Sequence, residues 1–201
     1  RRPLPLDGTQ VIDACRKLGR CALDDFQKTG EKEPQGGQRE TNGEQCRRRY
    51  GLLGARGEAA AGFLSALRYG LPVLKKRLAK GDPLNDAAVF SLLSLIASVD
   101  DTNMIHRGGF AAAQDRKKEA MRLLSQLTNE NFSDALNALD SSYIRENLSP
   151  GGCADLLAVS LMLCFLEQSG LVDAFYGKRF TSLIFCSHSH RAVPGTGARL
   201  L

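Results

Sequence analysis

The sequence has no tryptophan and few other aromatic residues, with four tyrosines and nine phenylalanines among 201 residues. Aromatic and β-branched residues concentrate in strands, whereas leucine and alanine favour helices. This scarcity favours an all-α fold. Long hydrophobic runs are also missing. The most apolar segment, 156–166, is too short to cross a bilayer, so we expect a buried helix there and no membrane partner.

The six cysteines form no CxxC pair and have no regular spacing. This pattern indicates reduced thiols in a cytoplasmic protein rather than a disulfide framework. The net charge of +5 is not gathered into one basic block. Basic clusters at 47–49, 75–77 and 116–118 are expected on solvated helix faces. Because few aromatic residues accompany them, we expect no nucleic-acid partner.

Apolar residues recur at helical spacing through most of the chain, and no stretch before residue 180 alternates with the period of a strand. We predict an all-α bundle of about six or seven helices over residues 1–168. An irregular tail of unknown role is expected over 169–201. The predicted helices cover roughly 9–26, 44–50, 58–80, 85–99, 110–127, 132–148 and 149–168.

Two of these helices have features that predict their packing. Pro72 should kink or split the helix over 58–80. The helix over 85–99 is apolar on nearly every side, which is typical of a central, buried helix. Its polar positions Ser91, Ser94 and Ser98 fall at helical spacing, and this stripe should let another helix approach closely.

Two adjacent carboxylates, Asp100 and Asp101, follow the expected central helix. A helix C-terminus already carries partial negative charge, so two acids there are unfavourable unless a cation joins them. Carboxylate oxygens beside a phosphate are ligands that Mg²⁺ prefers. Alternatively, both acids face solvent or pair with Arg107. His106, taken alone, is more often structural than catalytic.

A second candidate site lies at the start of the last expected helix, with Ser149 as N-cap and Pro150 in the first helical position. Gly151 and Gly152 in the first turn lower helix stability. They would let a phosphate approach the backbone N–H groups at the positive helix end. Asp155 would project toward the same mouth, either as a metal ligand or as an acid that the helix dipole favours.

A third candidate is Arg56, which lies in a glycine-rich segment and is sterically free to bind a phosphate with its guanidinium. Glu58 falls in the first turn of the next helix, where the dipole alone also favours an acid. Asn85 and Asp86 open the central helix in the same way, with Asn85 as its cap. Together, acids and glycine turns at the ends of buried helices suggest a metal–polyphosphate site.

Several blocks of the sequence resemble the triphosphoribosyl-dephospho-CoA synthases, which serve citrate lyase and malonate decarboxylase. The resemblance runs from about Leu6 to Gln168, and the blocks occur in the family's order. They are Tyr50-Gly51-Leu52-Leu53-Gly54-Ala55-Arg56-Gly57-Glu58-Ala59, Leu71-Pro72, Asn85-Asp86, Val99-Asp100-Asp101-Thr102-Asn103 with His106-Arg107-Gly108-Gly109, and Asn147-Leu148-Ser149-Pro150-Gly151-Gly152-Cys153-Ala154-Asp155-Leu156-Leu157.

The resemblance implies a transferase that uses ATP, dephospho-CoA and Mg²⁺. The 2′-hydroxyl of dephospho-CoA attacks C1′ of the ATP ribose, and adenine leaves. Such a displacement needs a metal on the triphosphate, a base near the hydroxyl, and stabilisation of an oxocarbenium-like centre. The implied roles are metal binding by Asp100, Asp101 and Asp155, substrate or phosphate binding by Arg56, Asn103, Arg107, Ser149, Gly151 and Gly152, and catalysis by Glu58, Asp86 and His106. Glu58 or Asp86 could serve either as the base or as a further metal ligand.

The chain departs from the family pattern at both ends. A block that the family carries near its N-terminus, Gly-Val-Asn-Thr-His-Lys-Gly, has no match here, and the chain begins without methionine. We therefore expect the first helices of the domain to be absent, and an apolar face left by them could form a homodimer. In the tail, Cys186, His188 and His190 could bind a metal, although a disordered tail is the stronger expectation.

Two other functions fit the same residues. A metal-dependent phosphohydrolase or glycohydrolase on a helical bundle would release phosphate or ribose phosphate without dephospho-CoA. An inactive, truncated helical domain would bind nucleotide without turning it over. Adenine release that depends on dephospho-CoA distinguishes both from the transferase.

Overall fold

The computed structural model describes residues 6–30, 41–128, 131–173 and 175, with the backbone alone for 25–30. Within these ranges the protein is helical and has no strand, which confirms the predicted all-α class, with slightly more helices than expected. The elements are α1 (Gly8–Gly30), α2 (Asn42–Tyr50), α3 (Gly54–Ala60), a π-helical segment (Ala66–Gly70), α4 (Leu71–Ala79), α5 (Leu84–Ser98), α6 (Thr102–Gln126), α7 (Phe132–Arg145) and α8 (Gly151–Gln168).

The single helix expected over 58–80 is divided into three elements. α3 ends at Ala60, and Gly62 and Phe63 then adopt left-handed φ angles of 76° and 57°. The π segment follows and leads directly into α4, whose first turn contains Pro72. Proline fits there because a first-turn N–H has no intrahelical acceptor to lose. The helix expected over 58–80 is therefore divided at Gly62 and Phe63, and the prediction that Pro72 divides it is wrong.

Two predicted N-caps are wrong, and α6 begins at Thr102 rather than near 110, with Gly109 as a kink inside the helix. α5 begins at Leu84 with Pro83 as its N-cap, so the prediction that Asn85 caps this helix is wrong. α8 begins at Gly151 with Pro150 as its N-cap, and Pro150 itself makes no side-chain hydrogen bond to the first turn. Ser149 therefore does not cap α8.

The predicted central helix is confirmed. α5 packs against α4, α6 and α8, and its buried side chains include Phe90, Leu93 and Ile96. Ser91 is fully buried, and its hydroxyl donates a hydrogen bond to the Gly70 carbonyl at 2.9 Å. At this position of the predicted serine stripe, the backbone of the π segment thus packs directly against α5.

The π segment also packs closely against α8. A Cβ atom on Gly70 would lie 2.1 Å from Ser160 Oγ, and Ser160 is itself fully buried with its hydroxyl donating to the Leu156 carbonyl. Glycine at position 70 and serines on both neighbouring helices thus allow three helical segments to meet with little side-chain volume between them.

The chain past α8 contributes to the core where it is described. Val172 and Phe175 are buried in a cluster that includes Ile12 and Leu163, and Leu6 pairs with Val172 in a single parallel bridge. The described start of the expected tail therefore packs against α1. Whether a domain boundary falls at residue 168 stays a prediction, and Cys186, His188 and His190 lie outside the described residues.

By length and composition, α8 could cross a membrane, as could the bent pair of α5 and α6 taken together. A core helix passes the same test. α8 packs against α4 and α5 through Leu156, Ser160 and Leu163, which are buried. The described cysteines, Cys15, Cys21, Cys46, Cys153 and Cys164, are free thiols, as the sequence predicts.

We expect Gly70→Ala to lower the free energy of unfolding by about 1–3 kcal/mol, because the added methyl group overlaps Ser160. Gly43→Ala is the matched control, since a Cβ there would lie 3.7 Å from its nearest neighbour, Arg56 Nη1. This control should keep or raise stability, because alanine favours a helix over glycine. Urea midpoints measure both changes. Equal midpoints for Gly70→Ala and the wild type would contradict this close packing.

Candidate functional site

A cavity of about 420 Å³ lies where α3, the junction of α5 and α6, and the start of α8 meet. Its size is within the range of about 300–1,000 Å³ that is usual for small-molecule pockets. Four carboxylates line it, whereas none of its described lining residues is lysine, arginine or histidine. The lining residues are Gly51, Leu52, Leu53, Gly54, Ala55, Gly57, Glu58, Phe63, Ser65, Ser98, Val99, Asp100, Asp101, Thr102, Gly152, Asp155, Leu156 and Val159.

Asp101 is the buried acid of this cavity, with only 3% of its surface exposed. Its Oδ1 accepts hydrogen bonds from the backbone N–H groups of Asn103 at 2.8 Å and Met104 at 3.1 Å, so it caps α6. Its Oδ2 accepts from the backbone N–H of Cys153, in the first turn of α8, at 2.8 Å. One carboxylate therefore caps two helices at their positive ends.

This arrangement changes the physical basis of the metal prediction. The sequence predicts that Asp101 places a negative charge at the C-terminus of the central helix and therefore needs a cation there. In the structure it lies at the N-termini of α6 and α8, where the helix dipoles already stabilise a carboxylate. Burial and the Asp101 charge raise the pKa of the Cys153 thiol, so this thiol stays protonated.

The two glycines at the start of α8 make room for side chains from α6. A Cβ on Gly152 would lie 3.2 Å from Asp101 Oδ2, and a Cβ on Gly151 would lie 2.6 Å from Asn103 Nδ2. Close helix packing thus explains glycine at both positions. Phosphate binding at this turn stays a prediction, and the Cys153 N–H is already bonded to Asp101.

The glycine-rich wall over 51–57 has a similar explanation. Gly54 has a left-handed φ of 56°, and a Cβ there would lie 3.1 Å from Thr102 Oγ1. Arg56 is exposed and does not line the cavity. Its guanidinium lies beside Gly43 and Glu44 of α2. The glycines therefore bring this wall against α6, while Arg56 faces away from the cavity toward α2.

Asp100 is held by α6. Its Oδ1 accepts hydrogen bonds from Lys117 Nζ at 2.8 Å and from Gln114 Nε2 at 2.9 Å. Partial burial would raise the pKa of Asp100, but these two hydrogen bonds and the Lys117 charge outweigh it, so the pKa is lowered. Asp100 therefore pairs with Lys117, and the alternative that it pairs with Arg107 is wrong, because Arg107 donates to Asn147.

Glu58 projects from α3 and is oriented by the turn that follows. Its Oε1 accepts a hydrogen bond from Ser65 Oγ at 2.6 Å, and its Oε2 accepts one from the Ser65 backbone N–H at 3.1 Å. The carboxylate is thereby fixed in the cavity wall. A hydroxyl and an amide hold one face of Glu58, and the sequence spacing gave no indication of Ser65.

Asp155 is the exposed acid of the cavity. It has no hydrogen bond or ion pair with another described residue, in contrast to Glu58, Asp100 and Asp101. Asp100 Oδ2 likewise accepts no hydrogen bond within the described ranges. The two Asp155 oxygens and Asp100 Oδ2 are therefore the carboxylate oxygens that a bound ligand or cation could contact most easily.

The remaining candidates lie outside the cavity lining. Arg107 donates to Asn147 Oδ1 at 3.1 Å, and His106 is exposed on α6. Asp86 lines a different cavity beside Arg77 and Asp82. It lies at the opposite end of α5 from Asp100, about 20 Å away at 1.5 Å per residue. The structure does not bring these members of the predicted site to the cavity: Arg56, Asp86, Asn103, His106, Arg107, Ser149 and Gly151.

Within the described ranges, no three His, Cys, Asp or Glu side chains are grouped as a complete metal site. Lys117, Gln114, Ser65 and Phe63 are the residues of this region that sequence reasoning missed. Lys117 belongs to a basic cluster expected on a solvated face, yet it is largely buried against Asp100. Its partner lies 17 residues earlier in the sequence, so no local spacing pattern could have identified the pair.

Comparison with known proteins agrees with the family resemblance of the sequence. The family model of CitG, ATP:dephospho-CoA triphosphoribosyl transferase, matches residues 5–172. A probable 2-(5''-triphosphoribosyl)-3'-dephosphocoenzyme-A synthase of Vibrio cholerae is 37% identical over 163 residues, which are 80% of this chain and 50% of the relative. The synthase of Klebsiella pneumoniae is 42% identical over 138 residues, 68% of this chain and 46% of the relative.

The chain thus spans about half the length of the curated relatives it matches. A third relative, a probable synthase of the same name from Streptococcus equi subsp. zooepidemicus, is 43% identical over 130 residues, 64% of this chain and 44% of the relative. No solved structure matches the chain.

We expect Asp101→Asn to destabilise the fold by about 2–3 kcal/mol, because the amide cannot accept on both sides and loses the charge that three N–H groups share. Asp155→Asn, in the same cavity but exposed and unpaired, should change stability by no more than about 0.5 kcal/mol. Chemical unfolding measures both. Equal stability of the two variants would rule out the double cap.

We expect Lys117→Met to raise the pKa of Asp100, measured by carboxyl ¹³C NMR titration. The lowered folded pKa stabilises the wild type above the unfolded value of about 3.9, and this contribution is lost as the pH falls through the folded pKa. The variant should therefore be less stable at neutral pH, with a difference that shrinks in acid. Lys118→Met is the control, since Lys118 forms an exposed pair with Asp115. An unchanged Asp100 pKa in Lys117→Met would contradict the pairing.

Proposed function

The chain belongs to the CitG family of ATP:dephospho-CoA triphosphoribosyl transferases, and from this premise we propose that its cavity transfers the triphosphoribosyl group of ATP to dephospho-CoA. The observation that carries this proposal is the charge of the cavity. Glu58, Asp100, Asp101 and Asp155 line it without a lining lysine, arginine or histidine among the described residues. An acidic cavity of this kind suits a reaction in which positive charge develops.

Glycosyl transfer is such a reaction. When adenine leaves C1′ of the ribose, the sugar acquires oxocarbenium character, and nearby carboxylates stabilise that charge. Phosphoryl transfer instead spreads negative charge over oxygens, which arginine, lysine and metal ions stabilise. The distribution of charge around this cavity therefore favours chemistry at the sugar over hydrolysis of the phosphates.

In the proposed step, the 2′-hydroxyl oxygen of dephospho-CoA forms a bond to C1′ of the ATP ribose as the bond from C1′ to N9 of adenine breaks. The hydroxyl proton passes to a carboxylate, and adenine leaves with the bonding electron pair and takes up a proton. Among the three catalytic candidates only Glu58 lines the cavity, and Ser65 orients it. We assign the base to Glu58 on this ground.

Mg²⁺ fits the acids that keep free oxygens. It binds through oxygen ligands and commonly contacts a protein by one or two carboxylates together with substrate phosphates. Asp155 and Asp100 are suited to this role, and the metal would neutralise charge on the triphosphate. Asp101 receives a structural role instead, because it is buried and both its oxygens already accept backbone hydrogen bonds.

The product would be the precursor of a prosthetic group, for either citrate lyase or malonate decarboxylase. Free thiols throughout the described part of the chain support a cytoplasmic location. A homodimer also stays a prediction, and light scattering can test it.

The proposed activity is tested by chromatography of adenine released from ATP and Mg²⁺, with and without dephospho-CoA. Adenine that appears only with dephospho-CoA supports the transferase. Adenine or ribose phosphate without it indicates a glycohydrolase, and released phosphate indicates a phosphohydrolase. Nucleotide binding with none of these products would mean an inactive binding domain and would overturn the proposal.

The assignment of the base makes a sharper prediction. Glu58→Gln should lower kcat for adenine release by about 10²–10⁴-fold, the usual contribution of a positioned base. Asp86→Asn is the matched control, because Asp86 lies at the far end of α5 and should leave the rate unchanged. Loss of activity in Asp86→Asn with full activity in Glu58→Gln would assign the reaction to the other cavity.

A further inference from the structure

We propose that the nucleoside half of ATP enters this cavity, with adenine against the ring of Phe63 and the triphosphate at the mouth beside Asp155. This inference rests on the proposed function and adds the orientation of the substrate and the residue that contacts its base. Phe63 has no role in the reaction so far described. Three observations support the orientation: the position of this ring, its backbone and the charge of the cavity.

Phe63 supplies the one aromatic ring among the described residues that line the cavity. It is partly buried against the core, so the ring is supported from behind. A nucleobase stacks on such a ring through its flat face, without needing specific hydrogen-bond partners. The other apolar lining residues are aliphatic and offer no equivalent surface.

The backbone of Phe63 is strained. Its φ of 57° lies in the left-handed region that bulky residues rarely adopt. The conformation is enforced on both sides, since the Phe63 N–H donates to the Glu58 carbonyl at 2.7 Å and the Leu67 N–H donates to the Phe63 carbonyl at 3.0 Å. Strained residues of this kind cluster at ligand sites. The same turn also places Ser65 against the Glu58 carboxylate.

The charge of the cavity decides which end of ATP enters. The triphosphate carries several negative charges and would be repelled by Glu58 and Asp101, whereas Asp155 and Asp100 could hold the Mg²⁺ that accompanies it. The nucleoside is neutral, and its ribose hydroxyls and exocyclic amine are donors that carboxylates accept. The exposed side of the cavity beside Asp155 therefore suits a metal-bound triphosphate better than the buried side beside Asp101 does.

The volume agrees with this arrangement. About 420 Å³ is near the lower end of the usual range for small-molecule pockets. It suits one nucleoside rather than two complete nucleotide substrates. Dephospho-CoA would then approach the ribose from the open side of the cavity.

The test compares the affinities of adenosine, ATP and inorganic triphosphate for the wild type and for Phe63→Leu and Phe63→Tyr, by calorimetry or competition. Phe63→Leu should lower the affinity for adenosine and for ATP about ten-fold, the usual effect of losing one stacked base. It should leave inorganic triphosphate unchanged, and Phe63→Tyr should restore the affinity for adenosine. Equal weakening of all three ligands, or of none, would overturn the orientation.

A second measurement does not depend on the stability of a variant. In the wild-type chain with adenosine bound, nuclear Overhauser effects should connect adenine H2 or H8 with the Phe63 ring protons, and their absence in the bound complex counts against the proposal. Failure of the proposed function is distinguishable. Adenosine that binds against Phe63 without adenine release in the presence of dephospho-CoA keeps this site and removes the transferase. Normal adenine release without Phe63-dependent binding of adenosine would support the transferase and rule out this adenine site.

Discussion

The carboxylate of Asp101 is the interaction on which the site depends. It binds the first turns of α6 and α8 at once, and it does so at the corner where α5 and α6 meet with a bend of 55°. A charged acceptor shared by several buried N–H groups fixes the relative position of the helices that supply them. Asp100 precedes Asp101 in the chain, and Asp155 lies near the start of α8. Both residues line the cavity because Asp101 holds the start of α8 against the junction of α5 and α6.

The four acids of the cavity share a charge but differ in what surrounds them. Asp101 is saturated by backbone N–H groups, Asp100 is paired with Lys117, and Glu58 is oriented by Ser65. Asp155 alone among them is exposed without a described partner. These surroundings separate a structural acid, a paired acid, an oriented candidate base and a candidate cation ligand, although the residue types are the same.

Much of the helical architecture could be predicted from the sequence, because helix periodicity is a local property. The apolar helix α5 follows from the spacing of its residues. The break that the sequence predicts at Pro72 lies instead at Gly62 and Phe63, where the backbone adopts left-handed φ angles. The caps were less predictable. Thr41 and Glu44 form a capping box within four residues, whereas α8 is capped by Asp101 from 52 residues away. No rule of local spacing identifies the second kind.

The sequence by itself determined the helical class, the order of the elements and the residues that form the acidic blocks, since these depend on neighbours along the chain. The tertiary structure decided which blocks meet. It placed Glu58, Asp100, Asp101 and Asp155 around one cavity and left Asp86 at the far end of α5. It also decided what the glycines do, because room for Asn103 and Asp101 beside α8 arises only when distant helices pack. Long-range packing and burial set these outcomes, and neither is encoded in the spacing of residues along a single helix.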